Sequence, residues 1–149
     1  MTQAKTLMPT IPFGDTELSR LILGANPING GSHLSVFVNR QMTRYFTPER
    51  VQALLGHCEH QGINTWQSGL GNLDAYRTYV DNGGEMHYIA LAQDHPDHPD
   101  MLERLVDGGA IGVAHHGEVT DVLWREDNME KVQAYCQRIR EAGVMVGIS

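Results

Sequence analysis

Cysteine, basic charge and long apolar runs are all scarce in this chain, and each scarcity excludes a class of protein. Two cysteines, Cys58 and Cys136, occur among 149 residues. A pair of thiols within helix-patterned segments makes no disulfide framework, and reads as two buried free thiols of a reducing compartment. Lys and Arg number 11 against 18 Asp and Glu, a formal net charge of −7. Acidic surfaces repel phosphate backbones, so nucleic acid is not an expected partner. No apolar run nears the ~20 residues that span a bilayer, so no membrane is expected either. The opening MTQAKTLMPTIPFG holds no signal-peptide core, which makes the cytoplasm the expected location. What remains is globular: 41% hydrophobic and 19% charged residues, at a length suited to one domain.

Short apolar runs alternate with helical patterns. Ser19–Ala25 (SRLILGA), Ile63–Ser68 (INTWQS), His87–Gln93 (HYIALAQ), Ile111–His116 (IGVAHH) and Val144–Ser149 (VMVGIS) read as five strands buried on both faces, as in parallel sheets. Thr47 with Pro48 and Glu49 opens a helix whose Val51, Leu54, Leu55 and Cys58 form one stripe. A last helix is expected from about Asp127 to Ala142, a shorter one around Leu102, Leu105 and Val106, and a weaker pattern covers Asn72–Asp81. Gly62, Gly83–Gly84, Gly108–Gly109 and Gly143 each follow a helix and precede a strand, where glycine ends helices in the left-handed conformation. Serial β/α units with right-handed crossovers follow. Thr10–Leu18 reads as a small hairpin turning at Gly14–Asp15. Pro27–Phe46 reads as a loop of twenty residues, either packed down locally or serving as a lid or partner surface.

IPFGDTELSRLILGAN, GINTWQSG, YIALAQ and IGVAHHG together resemble the opening hairpin and first four strands of the aldo/keto reductase superfamily. The resemblance covers about Ile11–Ser149 and implies part of a TIM barrel, about five of its eight strands, with an N-terminal β-hairpin. It also implies NADP as cofactor, a carbonyl-type small-molecule substrate, and a catalytic histidine at position 115, beside His116. Three of the four catalytic positions differ. Gln67 and Ser68 stand where the family has Asp–Thr, Gln93 stands where it has lysine, and no tyrosine matches. Glutamine amides do not ionise, so Gln67 and Gln93 neither tune a neighbour by charge nor shuttle a proton. The NADP phosphate contacts in that family come mainly from later strands. Five strands do not close a barrel. Further strands of a longer protein, another chain or self-association would complete it; an open doubly wound five-stranded sheet is the alternative.

Ligands of α/β proteins collect at the carboxyl ends of strands. Those ends carry Asn26, Gln67, Ser68, Gln93, Asp94, His115 and His116, a polar set that water alone also explains. Adjacent strand residues face opposite ways, so one of His115 and His116 faces the site, as acid, base or positioner, and the other packs against a helix. DHPDHPD (Asp94–Asp100) suits either a turn with helix-capping aspartates or a divalent metal held by Asp94 or His95 with His115 or His116, and His33 as an outside ligand. Metal-dependent isomerase, lyase or hydrolase chemistry is thus a second expectation, and a non-catalytic binding or assembly module a third. Arg40 and Arg44 suit either an anionic substrate or a plain surface. SGLGNLD mimics a dinucleotide loop but has Asp74 where the third glycine belongs, against binding.

Overall fold

The computed structural model describes residues 8–149. They form two compact units, the first holding residues up to Trp66 together with Thr78–Met86, the second Gln67–Arg77 and His87–Ser149.

The first unit opens with the expected hairpin, β1 (Thr10–Phe13) and β2 (Thr16–Ser19), antiparallel with Ile11 opposite Leu18. Gly14 turns it at φ 58°, a left-handed conformation that glycine adopts at no steric cost. Asn64 anchors the hairpin: its side-chain oxygen accepts from Ser19 N at 2.8 Å, and its amide nitrogen donates to Glu17 O at 2.9 Å. Ser19–Ala25 departs from expectation. Ser19 closes β2, and beyond it the run makes one isolated parallel bridge, Leu23 to Trp66, with Leu21 and Ile22 exposed. An apolar run alone does not build a strand when only one residue finds a ladder partner.

Pro27–Phe46 is also not a loop. It holds α1 (Asn26–Asn29) and α2 (Val36–Tyr45). Gly30, at φ 71°, ends α1, and the Ser35 hydroxyl accepts from Val38 N to open α2. The periodicity hides α2 because none of its residues is buried; Phe37 is 76% exposed. α3 (Pro48–His60) starts as expected on Thr47, whose hydroxyl accepts from Arg50 N, and buries Val51, Leu55 and Cys58.

Strands β3 (Thr65–Ser68), β4 (His87–Ala92), β5 (Ala110–His115) and β6 (Met145–Ile148) make one parallel sheet in sequential order, four strands rather than five. The protein is thus α/β with a separate antiparallel hairpin. After β3, a 3₁₀ turn (Leu70–Asn72) runs into α4 (Leu73–Asp81). The second unit adds α5 (Met101–Asp107), α6 (Gly117–Arg125) and α7 (Met129–Glu141). α6 has no counterpart in the sequence reading, and α7 is shorter than the expected 127–142. Asp127, at φ 57°, breaks the chain between them. Trp66 is fully buried, whereas Trp124 on α6 is 69% exposed.

Register separates the two faces of the sheet. Ala90, Val113 and Val146 lie side by side, as do Ala92, His115 and Ile148. Ile89, Gly112 and Met145, and Leu91, Ala114 and Gly147, lie on the other face. α7 covers the first face, since Tyr135 meets the His115 ring edge-on at 5.5 Å. α5 lies beside α7: Arg138 Nη2 is 3.7 Å from Glu103 Oε1. Both crossover helices therefore share one side. Right-handed crossovers that always advance in the same direction require this.

Candidate functional site

β5 is the strand that decides the site. Its AIGVAH run alternates between the two faces, and the register carries the alternation past its end. Ala92 pairs with His115, and His116 N donates to Ala92 O at 3.0 Å, which extends the ladder by one residue. His116 and Gln93 therefore project on the face of Ala114 and Leu91, opposite to His115.

His115 belongs to the helix layer. It is 2% exposed, and its Nδ1 lies 2.6 Å from Thr120 Oγ1 on α6. The Thr120 hydroxyl donates to His116 O at 3.0 Å, so His115 Nδ1 is the donor of the pair. Burial holds the His115 pKa below its ordinary value, against the opposing pull of Asp94. A neutral, packed, hydrogen-bonded imidazole is what this environment keeps.

His116 differs. It sits at the N-cap of α6, half-buried, and its Nδ1 is buried without a hydrogen-bond partner among the described residues. A buried polar atom left unmatched costs roughly 1–3 kcal/mol and asks for a partner. The faces beside it carry small side chains, Ala114 and Gly147. Gln93, half-buried, follows β4 directly. Gln67 is half-buried in β3. Ser68 is committed elsewhere, since its buried hydroxyl accepts from Asn72 Nδ2 at 2.7 Å and helps start the 3₁₀ turn.

Asp94 and His95 both have partners within the fold. Asp94 Oδ1 takes Arg138 Nη1 at 2.6 Å, and Arg138 also lies over the Tyr135 ring at 5.2 Å. His95 Nδ1 accepts from Asp97 N at 3.2 Å, and its carbonyl accepts from His98 N, the turn that DHPDHPD also suggested. Among the described residues, no group of three or more His, Cys, Asp or Glu is placed to hold a metal ion. Asn26, His33, Arg40 and Arg44 all belong to the first unit and are exposed. His33 stands at φ 60°.

Sequence reasoning missed the partners of His115. Thr120 lies on the unforeseen α6, and Tyr135 is one of the buried residues of α7. The cue was available: a buried strand-end histidine needs a donor or acceptor from whatever covers it. No family model, curated protein or solved structure matches this chain.

Proposed function

We propose that β3–β6 are an arc of an aldo/keto-reductase-like β/α barrel, and that its carboxyl end binds a small carbonyl- or hydroxyl-bearing molecule through His116 and Gln93. The observation that carries the reading is the buried, unmatched His116 Nδ1 on the face opposite α5 and α7. Sequential parallel order without a reversal supports the arc, because a doubly wound sheet reverses its order at the binding crevice. Among the described residues β6 has a neighbour on one side only, and its Met145 and Ile148 are exposed, an open edge that an arc leaves and a closed barrel does not.

In this arrangement the His116 imidazole donates to, or accepts from, the substrate oxygen. The Gln93 amide offers both a donor and an acceptor to fix its orientation. Neither Gln67 nor Gln93 ionises, so His116 is the only proton-transfer group of the set. The phosphates of NADP do not suit the Gly69–Asp74 segment: it folds into a 3₁₀ turn and the start of α4, whose first turn is acidic.

The test is a titration of ¹⁵N-labelled protein with matched small ketones, aldehydes and alcohols. Saturable shifts of the Gln93, His116 and Gly117 amides are expected. His116→Gln should weaken binding at least tenfold and leave the urea midpoint in place. Shifts elsewhere, or equal affinity in the variant, refute the reading.

A further inference from the structure

In the first unit, a polar recess lies between the ends of α3 and α4. The cavity measures about 360 Å³ and is lined by Gln52, Glu59, Tyr79, Asn82, Gly83 and Gly84. Glu59 is its anchor. One carboxylate oxygen, Oε2, accepts from the Tyr79 hydroxyl at 2.8 Å and from Glu85 N at 2.8 Å. No Lys, Arg or His among the described residues forms an ion pair with Glu59.

The recess is shaped by glycine. A Cβ on Gly84 would clash with the Tyr79 ring, 2.7 Å from Cζ and nearer still to Cε1 and Cδ1. Tyr79 can lie flat against the backbone only because that position has no side chain. Gly83, at φ 95°, turns the chain around the rim. Burial, then the hydrogen bond to Glu59, push the Tyr79 pKa up to about 12, so the hydroxyl stays a donor to the carboxylate. The flanking residues Asp81 and Glu85 add negative charge and no cation.

From these features we propose that the recess binds a small organic cation, an alkylammonium or guanidinium group, with Glu59 as counter-ion and the Tyr79 ring as one wall. The size fits a compact ligand. The carboxylate supplies charge-assisted hydrogen bonding, and the ring face favours a cation. An anion is repelled by Glu59. A divalent metal finds one carboxylate where it needs several oxygen ligands. This site stands apart from the His116 reading and neither depends on it nor supports it.

The experiment titrates ¹⁵N-labelled protein with ethylammonium, guanidinium, ethanol and acetate at constant ionic strength. Saturable shifts of the Asn82, Gly83, Gly84 and Glu85 amides are expected with the two cations and not with ethanol or acetate. Glu59→Gln keeps an acceptor for Tyr79 and should weaken cation binding at least tenfold. Asn82→Trp, at an exposed position, should fill the recess and abolish binding with the fold intact, which covers the case in which Glu59→Gln unfolds. Unsaturable or absent cation shifts overturn the proposal. So do equal responses to ethanol or acetate, or full affinity in a folded Glu59→Gln or Asn82→Trp protein.

Discussion

Replacing the two adjacent histidines one at a time separates packing from binding. His115→Ala removes a ring that is 2% exposed, edge-on to Tyr135 and hydrogen-bonded to Thr120. The ring pair is worth about 0.5–1.5 kcal/mol beyond its buried area. The lost hydrogen bond costs about 1 kcal/mol, at the low end because Thr120 keeps the His116 carbonyl as acceptor. The space left beneath α7 adds a cavity penalty of roughly 1–2 kcal/mol. These contributions overlap, and a loss of about 3 kcal/mol is expected, a large share of a typical domain's 5–15 kcal/mol. His116→Ala removes a half-buried ring whose Nδ1 has no partner among the described residues, so it relieves an unmatched atom and should change stability by less than about 1 kcal/mol. Urea unfolding followed by far-UV circular dichroism measures both. If His116→Ala proves the more destabilising, the face assignment is wrong, and with it the site.

Acidification gives a second check. Burial lowers the pKa of both His115 and His87 in the folded chain. Between that lowered value and the ordinary ~6.5 the unfolded chain binds more protons. Stability should therefore be full above about pH 6.5 and fall as the pH drops below it; His115→Gln should flatten the fall in the urea midpoint. Gly84→Ala should cost roughly 2–4 kcal/mol by overpacking against Tyr79 and disrupting its bond to Glu59, and much less in a Tyr79→Ala background. A double-mutant cycle in urea reads that coupling. Arg138→Met should cost no more than about 1 kcal/mol, since both its ion pairs are solvent-exposed, and raised salt should shrink the difference by screening them. Trp124→Phe should leave a blue-shifted emission spectrum from the fully buried Trp66.

The elements that the sequence announces are those whose signals are local and redundant. α3 has a capping threonine, a proline at its first position and an apolar stripe, and all three act in the structure. The hairpin has its glycine at the turn. α2 and α6 lack the redundancy. They bury no residue, so hydrophobic periodicity has nothing to report, and only the Ser35 cap marks α2. Leu21, Leu23 and Ile22 fail in the opposite sense. They read as a strand, but a strand is a pairing property, and whether a neighbouring backbone stands alongside is not written in the run itself.

The candidate site shows the same division. Alternation along IGVAHH states that His115 and His116 face apart, and the structure agrees. It does not state which face is covered, because a two-residue period is symmetric under a shift by one. The choice is made by α7, whose Val132, Tyr135 and Ile139 are almost fully buried and whose Tyr135 meets the His115 ring. The resemblance favoured position 115; the ladder, extended by the bond from His116 N to Ala92 O, puts position 116 on the opposite face. A single helix lying on one side of one strand thus gives two neighbouring, chemically identical residues different surroundings. That difference is a matter of burial energetics, because the imidazole that gains a hydroxyl partner and an aromatic neighbour is the one that can be taken out of water.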